Sequence, residues 1–182
     1  GNRSAALEGE TWIEVPSDTL PFEERPWMKA SEITDRLIAE LRTGKHRHAR
    51  LNWANGDMVG HTGVRESTVI AVEAVDLQLT RLLPVIKELG GALLVLADHG
   101  NADEMYEKDK KSGKVQTDAS GKPKAKTSHT LNPVPCFLYA PANPELKFAD
   151  GLPAAGLANV AATVLHLLGL EAPADYLPSL LA

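Results

Sequence analysis

The hydrophobic positions of this chain fall into two kinds of run, one with a helical period and one with no period at all. In "ASEITDRLIAELRTG", Ile33, Leu37, Ile38 and Leu41 recur on one helical face, which predicts a helix with Ser31 as its N-cap and Gly44 as its stop. The longest helical pattern covers 64–89, with Val72, Val75, Leu79, Leu82, Leu83 and Ile86 directed inward; Pro84 predicts a kink or an early end. Gly90 and Gly91 close that helix and feed 92–97, six small or apolar residues that read as a buried strand. "NPVPCFLYAP" predicts another strand, entered through Pro133 and Pro135 where a ladder N–H can be spared. "GLANVAATVLHLLGL" reads as an apolar helix, and "HARLNWA" as a short strand halted by the turn "NGD". The stretch "IEVPSDTLPFEERPW" holds three prolines and is expected to be irregular. Helices alternating with buried strands define the α/β class, in one domain without an internal repeat.

One segment departs from this alternation. Residues 107–128, "EKDKKSGKVQTDASGKPKAKTS", carry almost no apolar side chain, and lysines crowd around two Ser-Gly turns. A solvated excursion, at most a loose hairpin with high mobility, is expected there.

Composition narrows the function. A net charge of -5 over 182 residues argues against a nucleic-acid or membrane-surface role, because phosphate-rich surfaces need a basic face. Apolar runs fall short of a membrane span, and nothing resembles a secretion signal. The single cysteine, Cys136, can form no internal disulfide, which suits a reducing cytoplasm. The first residues, "GNRSAALEGETW", lack an initiator methionine, which suits either an expression scar or a chain that starts within a longer polypeptide.

Acid and histidine gather at three places. Asp57 and His61 lie four apart in "NGDMVGHTG", a spacing that shares one face if the segment turns helically. Asp98 and His99 stand side by side at the tip of the 92–97 strand, and His129 sits in "TSHTLNPVP" before the next one. In open α/β sheets, ligands bind beyond the carboxyl ends of parallel strands, where distant loops converge. Carboxylates mixed with neutral imidazoles suit manganese, zinc or cobalt. Each residue also has a plainer reading. Asp57 and Asp98 could cap turns, His61 could be an exposed loop histidine, and His129 could bond to nearby backbone. His46 and His48 lie in a basic surface run, His166 on the apolar final helix at the core or its boundary, and Cys136 reads as a small buried hydrophobe. No serine has the setting of a nucleophile: Ser67 and Ser128 lack a Gly-flanked elbow.

"NWANGDMVGHTGV", "LADHGNADEM" and "TSHTLNPVP", in that order, together with "RPWMKASEITD" and "GLANVAATVLHLLGL", resemble the 2,3-bisphosphoglycerate-independent phosphoglycerate mutases of the alkaline phosphatase superfamily. The lysine-rich insert is similar to that of the plant and trypanosomatid branch. The resemblance implies an alkaline-phosphatase-like sheet flanked by helices, and a monomeric cytoplasmic isomerase of glycolysis and gluconeogenesis. Such an enzyme interconverts 3-phosphoglycerate and 2-phosphoglycerate through a phosphoserine, without 2,3-bisphosphoglycerate. It implies two divalent ions, manganese first, with cobalt, zinc or magnesium as alternatives. Asp57, His61 and His129 would hold one ion, and Asp98 and His99 would contribute to the other. By the same resemblance, residues 1–182 correspond to the C-terminal portion of the phosphatase domain. The serine nucleophile, a further aspartate and the inserted transferase domain belong to the rest of the polypeptide, so the chain by itself is expected to be inactive. Two rival readings are another metal-dependent phosphomutase, such as a phosphopentomutase, and a non-catalytic metal-binding or complementing fragment.

Overall fold

The computed structural model describes residues 6–152 and 155–182. The order of its elements is α1 (Ala30–Arg42), α2 (Asn55–Gly60), α3 (Arg65–Glu88), β1 (Leu93–Leu96), β2 (Cys136–Tyr139) and α4 (Val160–Leu167), the last entered through a 3-10 turn at Leu157–Asn159. Helices and strands mix as the α/β pattern requires.

The expected helix around 31–44 forms and ends before Gly44, whose φ of 67° is the left-handed turn that closes it. Its start differs from the expectation. Lys29, not Ser31, is the N-cap and gives no side-chain cap. Ser31 lies inside the helix and accepts a hydrogen bond from Arg81 Nη1 at 3.2 Å, so its hydroxyl serves the packing of α1 on α3. Arg81 with Asp35, and Arg42 with Glu88 at 2.8 Å, tie the same two helices.

α3 runs through Pro84 to Glu88. Proline deprives the Thr80 carbonyl of its helical partner, but Leu82, Val85 and Ile86 are buried on either side and hold the last turns in place. The inward face is Thr68, Ala71, Ala74, Gln78, Leu82, Val85 and Ile86. Val72, expected inside, is 50% exposed, because the buried stripe passes one residue before it. The small residues of the first turns let α2 pack closely across α3.

Two sequence expectations fail between α1 and α3. "HARLNWA" forms no strand: among the described residues its backbone has no strand neighbour, and it runs beside the irregular 15–29 stretch. "NGD" is no turn either but the first turn of α2, and the buried Asn55 amide donates to the Pro26 carbonyl at 3.1 Å.

β1 and β2 pair antiparallel, Leu93 with Tyr139 through Leu96 with Cys136. The parallel arrangement expected at the site is therefore absent among the described strands. The antiparallel one achieves the same convergence, because the end of β1 and the entrance to β2 share one edge. Beyond that edge the two chains meet again at Gly100 and Thr130. β1 is half-buried and not fully buried. Burial pushes the Cys136 thiol up, in keeping with an inert side chain. At the start of α4 two buried polar residues face inward: Asn159, its N-cap, donates to the Pro178 carbonyl at 2.8 Å, and Thr163 Oγ1 accepts from Leu180 N at 2.9 Å, which fixes the C-terminal segment. His166 is exposed, not in the core, with Nδ1 3.1 Å from Ser179 Oγ.

The lysine-rich excursion is solvated, as expected, but it is not a loose hairpin. Three short segments close on one another: Glu107 N donates to Lys124 O, Lys124 N to Gln116 O, and Gln116 N to Glu107 O, at 2.8–2.9 Å. Both turns are built alike. Asp109 Oδ1 accepts from Ser112 N and Oγ, and Asp118 Oδ1 from Ser120 N and Oγ, each followed by a glycine with positive φ. These bonds hold both carboxyls below their usual range. The backbone bonds pair the three segments with one another, so they do not stand as long open edges.

Candidate metal centre

α2 is short, but its helical turn settles the spacing question, because Asp57 and His61 do share a face. Asp57 Oδ1 lies 3.2 Å from His61 Nε2, 3.1 Å from His129 Nε2 and 3.9 Å from His99 Nδ1. His61 and His129 bring their Nε2 atoms to 3.0 Å, and the rings of His99 and His129 stack at 3.8 Å. Three segments distant in sequence thus meet at one carboxylate oxygen. Asp98 is the exception: its side chain is 86% exposed and stands 3.7 Å from His99 Nε2 at the rim.

The donor chemistry of this cluster fits a divalent cation. His61 Nδ1 is 2.6 Å from the Thr127 carbonyl, which can only accept, so the proton of a neutral His61 sits on Nδ1. The Nε2 lone pair then points at the Asp57 carboxylate and at His129. A backbone carbonyl orienting a ligating imidazole through its far nitrogen is the usual outer support of a metal-bound histidine. His99 Nδ1 is buried without a hydrogen-bond partner, an orphan that a cation would satisfy. Asp57, His99 and His129 each offer one ligand atom, all within 4.8 Å of one another. So many electron pairs facing one point repel without a positive charge between them.

A sequence profile of the Metalloenzyme superfamily matches residues 1–172. The chain belongs to that superfamily. Among curated proteins, it is 48% identical over 184 residues to the 2,3-bisphosphoglycerate-independent phosphoglycerate mutase of Trypanosoma brucei brucei, covering 100% of this chain and 33% of that protein. The enzyme of the same name from Ricinus communis is 46% identical over 185 residues, with the same two shares, 100% and 33%. A crystal structure of Leishmania mexicana phosphoglycerate mutase at low cobalt concentration matches with a TM-score of 0.95 and 47% identity, over 100% of this chain and 34% of that one. The chain therefore spans about a third of the length of the relatives it matches. Likeness at that level carries the alkaline-phosphatase-like α/β fold expected from the motifs.

In this metalloenzyme chain the ligand candidates are framed by residues that sequence reasoning passed over. Asn101 Nδ2 donates to Asp57 Oδ1 at 2.8 Å and to the Asp57 carbonyl at 3.2 Å. Asp103 accepts from Thr130 Oγ1 at 3.0 Å and from Asn132 Nδ2 at 2.6 Å. Burial works to raise the Asp103 carboxyl, but the bonds from Asn132 and Thr130 outweigh it and hold the group below its usual range. A signal was available: "GNADE" places an amide and two acids directly after the Asp98–His99 pair, where a plain turn needs none of them. Among the described residues no helix is long and apolar enough to cross a membrane.

Proposed function

We propose that this chain is the metal-ligand segment, the C-terminal part of the phosphatase domain, of a 2,3-bisphosphoglycerate-independent phosphoglycerate mutase. The protein that carries it would interconvert 3-phosphoglycerate and 2-phosphoglycerate, an isomerase step of glycolysis and gluconeogenesis, in the cytoplasm. The observation that carries the reading is the meeting of Asp57, His61, His99 and His129 at one point, in a chain alike along its whole length to mutases of that name.

Two bound divalent ions, manganese first, would neutralise phosphate charge and orient its oxygens. Asp57, His61 and His129 would hold one, with the Thr127 carbonyl keeping the His61 proton on the far nitrogen. Asp98 and His99 would contribute to the other, with Asp98 free to turn inward from the rim. The phosphoryl-accepting serine and the groups that grip glycerate would come from the rest of the polypeptide. The reading is tested with the whole protein, metal-stripped and then given manganese, by following 2-phosphoglycerate formation from 3-phosphoglycerate. Turnover should need the metal, need no 2,3-bisphosphoglycerate, and disappear in Asp57→Ala. Turnover in the presence of a strong chelator would refute it.

A further inference from the structure

We propose that Asn101, Asp103 and Glu104 are positioning residues that assemble the metal centre, Asn101 tying α2, and Asp103 and Glu104 two points of the loop before β2, to the turn that follows His99. The proposal rests on the metal-binding part of the reading above and not on its substrate.

The ligand candidates lie in three segments that share no regular element: α2, the end of β1, and the loop before β2. The turn after His99 reaches all of them. Asn101, 5% exposed, grips both the carboxylate and the carbonyl of Asp57. Its seat requires Gly60, where a Cβ would lie 2.5 Å from Asn101 Oδ1. Asp103 holds Thr130 and Asn132, and Thr130 N donates to Gly100 O at 2.9 Å, so the chain beside His129 is pinned where that ring stacks on His99. Glu104 accepts from Lys108 and Lys126 at 2.7 Å each. Lys126 precedes Thr127, the residue whose carbonyl orients His61, so Glu104 acts on the third imidazole through the root of the lysine-rich excursion. None of the three belongs to the group that offers ligand atoms. A turn that merely capped β1 would need no partners in both α2 and the loop before β2. Outer partners of this kind commonly set metal affinity by about tenfold to a hundredfold.

The test uses the whole protein, with Asn101→Ala, Asp103→Asn, Thr130→Val and Glu104→Gln, and with Leu82→Ala in the α3 core as a control for general destabilisation. Manganese Kd is measured by calorimetry, and the imidazole tautomers by nitrogen-15 spectra of the metal-free protein. Asn101→Ala and Asp103→Asn should weaken manganese by about tenfold to a hundredfold, and Asp103→Glu should recover part of the loss. Glu104→Gln should weaken it less and should reduce the Nδ1–H form of His61 without any metal present. Leu82→Ala should lower Tm while leaving Kd within about twofold. Wild-type Kd and tautomers in the variants, or losses that merely track Tm as in the control, would overturn the proposal. Thr130→Val, nearly isosteric, cuts the Asp103 tie if Asp103→Asn does not fold. A wild-type protein that binds no manganese defeats the mutase reading; the His61 tautomer in Glu104→Gln then decides the positioning claim on its own.

Discussion

The candidate metal cluster and the lysine-rich excursion are joined at Thr127, yet they treat their polar groups in opposite ways. In the excursion three backbone segments bond in a closed cycle, and Oδ1 of each turn aspartate accepts from the serine and amides of its own loop. In the cluster one carboxylate oxygen faces three imidazoles, one of whose nitrogens is buried without a partner. Charge density alone would have favoured the excursion as the functional surface. The buried, unpartnered nitrogen beside a shared carboxylate favours the cluster instead, because burying a polar group without a partner costs free energy that a bound species would recover.

The two regions should differ most at the candidate ligands themselves. His129 Nε2 is close to both Asp57 Oδ1 and His61 Nε2, whereas His99 Nδ1 is 3.9 Å from the same carboxylate. His129→Ala should weaken manganese by about a hundredfold or more, beyond the usual reach of an outer partner, and His99→Ala by about tenfold. Calorimetry on the two variants decides it; equal losses would show that the two imidazoles serve one ion alike. Lys111→Ala in the excursion should leave the affinity unchanged.

A second contrast lies in the glycines. A Cβ on Gly100 would run into Thr130 Oγ1 and come 2.6 Å from Asp103 Oδ1, so the bond between those two side chains must open. Gly100→Ala should cost about 1–3 kcal/mol as an overpacked site, and should weaken manganese as well. At Gly121, with φ of 82° and nothing near its missing Cβ, a substitution meets backbone strain alone. Gly121→Ala should cost about 1–2 kcal/mol and leave metal binding intact. Denaturant unfolding with and without manganese separates the two effects.

Much of this was legible in the sequence, and the failures share a cause. The helical period located α1 and α3, and the apolar runs located β1 and β2, because those patterns report burial. The mixed acid and histidine motifs pointed at the cluster because few plain turns need both residue types. The strand in "HARLNWA" was misread because a strand exists only through a neighbour, which no local pattern reveals. Ser31 was misread as a cap because its role depends on Arg81, fifty residues away. The order within 107–128 was missed because composition measures what a segment can bury, while this one is held by hydrogen bonds to itself. Asn101, Asp103 and Glu104 were missed because each acts through a segment remote in the chain.

The smallest expected effect concerns the seam between the two regions. Hydrogen bonds from Lys108 and Lys126 hold Glu104 at about 2, against an ordinary 4.5. A carboxyl depressed in the folded state stabilises the fold while it is ionised. Its contribution is therefore complete above pH 4.5 and is lost as the pH falls towards 2. The pairs are partly exposed and screened by solvent, so the whole contribution should stay under about 1 kcal/mol. A simple acid titration would report every carboxylate of the protein at once. The difference between wild type and Glu104→Gln isolates the one group. In metal-free protein, that difference in unfolding free energy should be largest near neutral pH and should shrink steadily between pH 4.5 and 2. High salt should reduce it at every pH, because part of it is an ion pair at the surface. A difference that does not change across the window would mean that Lys108 and Lys126 do not grip the carboxylate, and that the excursion is not fastened to the metal centre through Glu104.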